Sequence, residues 1–481
     1  MTFSDKDIAF LEQSGHTPQQ VEFQLDCFRR GSRPIKVIRP ATAGDGIIIL
    51  SPSQKETYRQ LWEKEYRNYS VTKFVPASGA ASRMFRALYE WQSEQKNTPE
   101  TDLFFTRLPD FAFYQRIRNY SKKNQLVEAI LSSSGLNFGN LPKALLPFHR
   151  YRDNEVTPLE SHLLESLEYT NEKEEAYNVH FTFSPEHVEM AEEKIWKTLF
   201  DIEEQYGVDS SVLITSQHNE TDTIAVDESN NPVRHENGNL IFRPAGHGAL
   251  LDNLSETCSD IVFIRNIDNI LPPHKNVETV MWKKIMGGMF LQLRNDLFRY
   301  LGYLKSARVV SAKEMNEFCN SIFIAVPENL KNNSDALAWY SFLNRPMRLC
   351  GMVKNEGQPG GGPFWVKNEN GIKSLQIVES AQFSNDQLEI LNQSTHFNPN
   401  DIVCSFRSHT GEYFDLGAFV DHNAFFISEK SFNGKKIKAL ELPGLWNGGM
   451  AGWITWFVEI PSSVFNPVKT VNDLLGENHR S

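Results

Sequence analysis

A run of small residues between an apolar segment and a helical pattern constrains this chain most. Residues 73–76 are rich in bulky strand-forming side chains, and 77–82 consist of alanines, serines and one glycine. The apolar residues that follow recur at helical spacing. A strand that ends in such a turn before a helix presents backbone N–H groups to an anion, and Arg83 adds a guanidinium suited to phosphate. The pattern therefore predicts a phosphate-binding turn, although a tight turn with a solvated arginine would look the same.

Length and charge narrow the class of protein. The chain has 481 residues, enough for one large α/β domain with additions. Its 49 basic and 60 acidic residues give a formal net charge of −11. Nucleic acids and anionic membranes are bound through excess lysine and arginine, so we expect neither as a general partner. A small phosphate-bearing substrate requires only a local positive site and remains compatible with the acidic total.

The cysteines and the apolar segments predict a location. The five cysteines are scattered and form no C-x-x-C pair, which favours reduced, buried thiols over disulfides or a zinc site. The first residues contain no apolar core of a signal peptide, and no apolar run approaches the length of a membrane span. We expect a soluble cytoplasmic protein, a monomer or a homodimer.

Hydrophobic periodicity predicts the organisation of the chain. Residues 1–70 are predicted to form a helical N-terminal cap, with a capped helix start at Thr17–Gln20. Residues 71–395 alternate strand and helix patterns, which predicts an α/β domain with a mixed, mostly parallel sheet. A helical insertion is expected at 94–139. Residues 396–481 are expected to form a C-terminal segment that completes the site.

Three further segments carry candidate chemistry. Lys143 follows a proline, where its ammonium group could reach a phosphate or could simply keep a strand edge soluble. An apolar strand pattern ends at Asp268, where open parallel sheets bind ligands, although an aspartate bonding its own turn is the alternative. The glycine- and proline-rich segment 356–363 is predicted to be a mobile loop, either a lid or a hairpin tip.

These segments together resemble the nucleotide-sugar pyrophosphorylases, most closely the eukaryotic-type UDP-N-acetylhexosamine and UDP-glucose enzymes. Over its full length the chain also resembles an uncharacterised bacterial domain family. The likeness to the pyrophosphorylases covers most of the chain after residue 70. The matching segments are Pro76–Met84, Pro142-Lys143, Pro244–Leu250, Ile267–Asn269, Ile377–Ser380, Gly444–Asn447, Glu459-Ile460 and Phe465–Lys469.

The resemblance implies a GT-A-like, Rossmann-related nucleotidyltransferase domain over 71–395 and a Mg²⁺-dependent reaction. A sugar 1-phosphate would attack a nucleoside triphosphate, UTP above all, and pyrophosphate would leave. The main barrier is the approach of two anions, since unit charges 4 Å apart interact by about 4 kcal/mol at an effective dielectric constant near 20.

The resemblance also implies a role for each matching residue. Phosphate contacts are expected from Arg83, Lys143 and Lys469, which are the residues expected to be catalytic. Magnesium would be held by Asp268 and Asn447. Sugar contacts are expected from Glu379 and Asn269. The nucleotide would be bound by Ser78, Gly79, Ala80, Ala81, Gly246, His247 and Gly248.

Five positions depart from the pattern of that family. Ser78 and Ala81 replace glycines, His247 replaces an asparagine, Ala249 replaces a glycine, and Asn447 replaces an aspartate. A relative that binds a nucleotide or sugar phosphate without turnover would show such changes. A GT-A glycosyltransferase is a second alternative, although it has no need of a triphosphate loop. The sequence leaves the identity of the base and of the sugar open.

Overall fold

The computed structural model describes residues 3–151, 154–170, 178–208, 210–357, 360–369, 371–433 and 435–480. The predicted loop at 356–363 falls partly outside this set, because residues 358 and 359 are not among the described residues. Gly362 and Pro363 begin a strand, so the prediction of an irregular loop was wrong at these two positions.

The described residues form fourteen α-helices. The bounds of the helices are α1 (Asp5–Gln13), α2 (Pro18–Arg30), α3 (Pro52–Glu65), α4 (Arg86–Glu94), α5 (Pro99–Thr106), α6 (Tyr114–Ile117), α7 (Lys123–Leu131), α8 (Pro158–Ser166), α9 (Val188–Tyr206), α10 (Leu250–Ser255), α11 (Val277–Ser306), α12 (Ala312–Ser321), α13 (Ala336–Leu343) and α14 (Leu388–Asn392).

Nineteen β-strands lie in the same described part of the chain. Their bounds are β1 (Val37–Pro40), β2 (Thr42–Ala43), β3 (Gly46–Ile48), β4 (Val71–Pro76), β5 (His149–Tyr151), β6 (Asn154–Val156), β7 (Val179–Phe183), β8 (Val212–Ser216), β9 (Thr223–Val226), β10 (Phe242–Arg243), β11 (Ile261–Arg265), β12 (Met347–Lys354), β13 (Gly362–Lys367), β14 (Lys373–Val378), β15 (His396–Phe397), β16 (Asp401–Ser405), β17 (Phe426–Phe432), β18 (Lys435–Glu441) and β19 (Ile454–Glu459).

The chain divides into two compact units. The first unit comprises residues 1–51, 217–256 and 290–459, and the second comprises 52–216, 257–289 and 460–481. The boundary at 289 falls inside α11. The domain limits expected from the sequence, at 70 and 395, remain a prediction.

The second unit contains a parallel sheet in the order β11-β4-β7-β8. Its strands β4 and β7 are almost wholly buried, as their apolar composition predicts. Apolar residues of α8 and α9 pack against these strands in one cluster. The predicted helical insertion contains α5, α6 and α7, and its apolar residues pack with those of α4 and of residues 468–475 in one cluster.

The first unit contains three β-structures. The strands β2, β3, β19 and β12 are parallel, and β16 pairs antiparallel with β12. Antiparallel sheets are formed by β1-β13-β14 and by β10-β9-β18-β17. With the parallel sheet of the second unit, this arrangement confirms a mixed α/β fold whose strands are mostly parallel in the central sheets.

The capping residues in the sequence predicted the start of α2 correctly. Thr17 caps α2, because its hydroxyl accepts from the Gln20 N–H while Gln20 Oε1 accepts from the Thr17 N–H.

The strands β1, β2 and β3 interrupt the first seventy residues, which the sequence predicted to be helical. Four cysteines are buried as expected, but Cys258 is exposed. No described helix has the length and apolar character needed to cross a membrane.

Candidate functional site

The small-residue turn follows β4 and leads through a short 3₁₀ turn into α4. Ala77 N–H donates to Thr182 O, and Ala81 N–H donates to Leu141 O at 3.0 Å. The N–H groups of residues 78–80 donate to no acceptor within the described ranges. The chain there is partly or fully exposed, so these donors can face a bound anion. Ala81, by contrast, has its N–H already satisfied.

Serine and alanine in this turn cause no backbone strain. Among the described residues with positive φ, none lies between 78 and 81, and Ala80 has φ −63°. The glycines that the pyrophosphorylase pattern places at 78 and 81 are therefore not needed for this backbone path.

Lys143 lies directly beside the small-residue turn. Its backbone N–H donates to Gly79 O at 3.0 Å, and Pro142 forms an isolated bridge with Ala80. Its ammonium group donates to Asp268 Oδ2 at 2.9 Å and to Val468 O at 2.7 Å. The fold therefore brings the predicted lysine, aspartate and turn together in the second unit.

Asp268 lies just beyond the carboxyl end of β11 and is paired with two lysines. Lys469 Nζ approaches Asp268 Oδ2 at 3.0 Å, and Val468 N–H donates to Asp268 O at 2.9 Å. The Asp268 side chain is buried, whereas that of Lys469 is 60% exposed. Burial alone would raise the pKa of Asp268, but Lys143 and Lys469 hold this pKa below its ordinary value.

Arg83 lies in the 3₁₀ turn Ala81–Arg83 and is exposed. In the described part of the chain no group forms a hydrogen bond or an ion pair with its guanidinium. The next residue, Met84, accepts a hydrogen bond from Val471 N–H, two positions after Lys469. Arg83 is thus a free cation in the second unit, near the segment that carries Lys469.

Asn269 is engaged in structural contacts. Its Oδ1 accepts from Asn466 N–H at 2.9 Å and from the Arg265 guanidinium at 3.4 Å. Arg265 also donates to Asn269 O and to Val464 O, at 2.7 and 2.8 Å. This buried arginine connects the turn that carries Asp268 to the last segment of the chain. It was not among the residues predicted from the sequence. Its signal was a charge at the end of a continuous apolar strand.

A second charged residue of the interior was also missed. Lys73 lies in the middle of β4 and is buried. Its ammonium group donates to Glu165 Oε1 at 2.9 Å and to His162 O at 3.1 Å. Burial lowers the pKa of Lys73 to about 8, with Glu165 opposing that shift. The pair supports the strand from which the small-residue turn departs.

The donor set fits a magnesium ion held chiefly by phosphate oxygens. Both lysines bond Asp268 Oδ2, and no described residue hydrogen-bonds Asp268 Oδ1, which leaves that oxygen for a cation. No group of three His, Cys, Asp or Glu in the described ranges could hold a metal by itself. Magnesium is commonly bound through one or two carboxylates together with substrate phosphates.

Asn447 belongs to the first unit, where its side chain is already engaged. Its Oδ1 accepts from Gly448 N–H at 2.8 Å, and its Nδ2 donates to Gln382 Oε1 at 3.4 Å. The residue is buried and caps the turn that follows it. An amide oxygen that already accepts a hydrogen bond is a weaker candidate ligand than the free oxygen of Asp268.

His247 and Trp446 form a stacked pair in the first unit. Their ring centroids are 4.0 Å apart, with an interplanar angle of 11°. Leu445 N–H donates to His247 Nδ1 at 3.0 Å, and burial lowers the pKa of His247 to about 4. The histidine is therefore neutral at pH 7 and carries its proton on Nε2.

The predicted base-binding glycines lie in a tightly packed turn. Gly246 has φ +76°, a conformation that favours glycine. A Cβ on Gly248 would lie 2.4 Å from Pro443 O, and one on Gly444 would lie 2.1 Å from His247 Cε1. These glycines allow the two segments to approach each other closely.

Glu379 contacts the Trp446 ring of the stacked His247–Trp446 pair. The Trp446 indole N–H donates to Glu379 Oε1 at 3.3 Å. Burial raises the pKa of Glu379, with the hydrogen bond from Trp446 opposing that shift. The fold therefore joins three predicted segments of the first unit into one chain of contacts.

A family model described as a domain of unknown function, DUF4301, matches residues 4–480. The chain belongs to this family. A search of curated proteins finds no match to it.

Several solved structures are similar to this DUF4301 chain. UDP-glucose pyrophosphorylase from Leishmania major is 14% identical, with 98% of this chain and 79% of that chain covered and a TM-score of 0.46. Uridine diphosphate N-acetylglucosamine pyrophosphorylase from Trypanosoma brucei is 11% identical, with coverage of 95% and 74% and a TM-score of 0.48. The inositol-1-phosphate CTP transferase from T. maritima is 10% identical, with coverage of 84% and 90% and a TM-score of 0.32. These values are too low to carry an activity over to this chain.

Proposed function

We propose that this DUF4301 chain is a sugar-1-phosphate nucleotidylyltransferase. It joins a nucleoside triphosphate, UTP being the first candidate, to a sugar 1-phosphate and releases pyrophosphate with the help of Mg²⁺. The observation that carries the proposal is the convergence of Lys143 and Lys469 on buried Asp268, beside a turn with three free backbone N–H groups. Such a set of fixed charges and donors suits a triphosphate.

The reaction requires little proton transfer, because both substrates are already ionised. An oxygen of the sugar 1-phosphate forms a bond to the α-phosphorus of the triphosphate. The bond between the α-phosphorus and the bridging oxygen breaks, and the electron pair leaves with pyrophosphate. Catalysis of this kind rests on positioning and on charge stabilisation.

Each residue of the set has a distinct task in this scheme. The N–H groups of residues 78–80 hold the triphosphate, and Arg83 contacts its β- and γ-phosphates. Lys143 and Lys469 offset the negative charge that develops at the α-phosphate and on the leaving group. Asp268 would hold a magnesium ion, which would neutralise phosphate charge when bound. Asp268 also keeps both ammonium groups in place before substrate arrives, as their shared hydrogen bonds to Oδ2 indicate.

The other predicted binding residues are assigned to the base and the sugar. Glu379 is the acceptor for sugar hydroxyls, and Gly246, His247 and Gly248 contact the base. Neutral His247 can donate through Nε2, as an asparagine amide could, so its presence does not remove a donor.

A relative that binds these ligands without turnover is the second candidate. The observation that favours it is Asn447, which lacks a carboxylate and already accepts a hydrogen bond from Gly448 N–H. A site with Asp268 as its one acidic ligand would hold magnesium less tightly than a site with two carboxylates.

One set of incubations tests the proposal. Purified protein is mixed with Mg²⁺, each nucleoside triphosphate in turn and a panel of sugar 1-phosphates, and released pyrophosphate is measured. Release that requires both a sugar phosphate and Mg²⁺ supports the transferase. Calorimetric binding without release supports the non-catalytic relative. Transfer of sugar from a nucleotide-sugar donor, with no pyrophosphate formed, would indicate a glycosyltransferase instead.

A further inference from the structure

A cavity of about 640 Å³ lies within the first unit. Its wall is formed by residues 33–36, by parts of β13 and β14, and by turns at 418–424 and 447–452. Arg345, which precedes β12, completes the wall. The volume is in the range of small-molecule sites.

The charges around this cavity contrast with those of the whole chain. Four cations and two carboxylates line it, a balance of +2 in a protein of net charge −11. Arg33 and Glu369 pair with each other at 3.5 Å and are both exposed. The remaining charges are three cations, Lys36, Arg345 and Lys367, and one carboxylate, Asp421.

Arg345 has a guanidinium N–H without an acceptor. Its Nη1 donates to Gly452 O at 3.2 Å, but its Nε is buried and has no hydrogen-bond partner among the residues that the structure describes. Burial lowers the pKa of Arg345 to about 10, so the group stays charged at pH 7. A buried donor left unpaired is costly, and the charge of this guanidinium adds to the attraction of the cavity wall for an anion.

Lys36 and Lys367 are adjacent and have free ammonium groups. Lys367 N–H donates to Lys36 O at 2.9 Å, so Lys36, just before β1, lies beside Lys367 at the end of β13. Within the described ranges neither ammonium group has a hydrogen-bond or ion-pair partner. Two like charges held together at a cavity favour a ligand of opposite charge.

Apolar side chains form a further part of the wall. Ile35, Val366 and Ile377 contribute to it, and Phe419 and Val420 belong to the turn at 418–424. Neutral polar residues complete the lining, namely Asn368, Ser374, Gln376, Asn423 and Asn447. The cavity therefore suits a ligand with an apolar or ring-bearing body as well as a negative group.

We propose that this cavity binds a phosphate monoester with an apolar or ring-bearing body. A phosphate monoester carries a charge of about −1.5 to −2 at pH 7, which matches three cations less one carboxylate. A carboxylate ligand would leave about one positive charge unmatched. The proposal does not depend on the proposed transferase activity, because Lys36, Arg345 and Lys367 have no role in that reaction and the test measures binding alone.

Isothermal titration of the full chain with four probes tests the ligand class. The probes are phenyl phosphate, benzoate, phenol and inorganic phosphate, in a buffer without phosphate. Phenyl phosphate is expected to bind at least tenfold more tightly than each of the others. If benzoate bound as tightly as phenyl phosphate, the assignment of a phosphate group would be overturned. If inorganic phosphate bound as tightly as phenyl phosphate, the assignment of an apolar or ring-bearing body would be overturned. Absence of phenyl phosphate binding would overturn the proposal.

Three variants then test the location of the bound probe. The double variant Lys36→Gln/Lys367→Gln is expected to weaken phenyl phosphate binding at least tenfold. The double variant Lys435→Gln/Lys436→Gln makes the same charge change at exposed positions of the first unit outside the cavity, and is expected to bind like the parent. Lys143→Ala is also expected to retain binding. Loss of binding in Lys143→Ala with retention in Lys36→Gln/Lys367→Gln would place the anion at the other site and overturn the proposal.

Discussion

Single residues at the carboxyl end of β11 set the chemistry proposed for this chain. Asp268 is buried, yet two lysines keep it ionised, and both bond Oδ2, so that Oδ1 has no hydrogen-bond partner within the described part of the chain. The chemical role proposed for Asp268 depends on these two lysine neighbours and not on its position within a turn. The alternative interpretation, an aspartate that bonds its own turn, is not what the hydrogen bonds of its side chain show.

Removal of Asp268 or Arg83 should abolish most of the proposed activity. We expect Asp268→Ala and Arg83→Ala each to lower pyrophosphate release by roughly a hundredfold or more. Arg83 supplies positive charge to the phosphates, whereas Asp268 holds the two lysines in place and would hold the magnesium ion. Circular dichroism should show an unchanged fold. The matched controls are Asp102→Ala and Arg86→Ala, which remove exposed charges of the same unit. Wild-type rates in both test variants would exclude these residues from the site.

Glu165 supplies the negative charge that offsets a group of buried cations in the second unit. Its carboxylate faces Lys73, Arg265 and Lys283, and these cations hold its pKa below the ordinary value although burial raises it. Glu165→Gln should lower the free energy of unfolding by about 3–5 kcal/mol, because it leaves the buried ammonium group of Lys73 without its charged partner. Urea denaturation measures this change. Glu168→Gln, an exposed neighbour, should change it by less than about 0.5 kcal/mol. Equal effects of both substitutions would contradict the network.

At the scale of elements, the glycine turn at 246–249 packs closely against the segment at 441–445. This close packing limits which side chains fit near the candidate base site. Gly248 faces backbone there, whereas Gly302 lies exposed in α11 with open space around its Cβ position. The same substitution should therefore have opposite effects at the two positions.

Gly248→Ala should destabilise the protein by about 1–3 kcal/mol, because the added methyl group overlaps the Pro443 carbonyl. Gly302→Ala should stabilise it by about 0.5–1 kcal/mol through helix propensity. Thermal and urea unfolding of both variants provide the comparison. A stabilising Gly248→Ala would mean that the turn does not pack as described.

The elements also show which local signals were sufficient. The Thr17–Gln20 capping box predicted the start of α2 correctly, since all its atoms lie within four residues. The short strand β1 carried no such signal, because its formation depends on pairing with β13, far away in the sequence. The predicted loop at 356–363 was wrong at its end for the same reason, as Gly362 and Pro363 pair with β14.

At the scale of the whole molecule, buried histidines link stability to pH. Burial holds the folded-state pKa of five histidines below the unfolded value near 6.5: His180 at about 3, His247 and His479 at about 4, and His149 and His162 well below 6.5. Below pH 6.5 the unfolded chain therefore binds more protons than the folded chain. Stability contributed by these groups is present above pH 6.5 and is lost as the pH falls toward their folded values.

The free energy of unfolding should therefore decrease from pH 7.5 to pH 5.5. Each buried histidine contributes at most about 1.4 kcal/mol per pH unit below 6.5. His218 opposes the trend, because Glu256 raises its pKa in the folded state. Urea denaturation across this range measures the slope. A constant or rising free energy of unfolding toward pH 5.5 would contradict neutral burial of the five side chains.

The sequence by itself determined the fold class and the residue types able to bind phosphate, because strand and helix periodicity and cap or turn chemistry are local. It identified Lys143, Asp268 and Lys469 one by one. Only the tertiary structure decided that these three meet, across separations of 125 and 201 positions. It also decided that Lys73 faces Glu165 and that Arg345 lines a cavity. Ion pairs and burial depend on distances through space, which the path of the folded chain sets and local sequence does not encode.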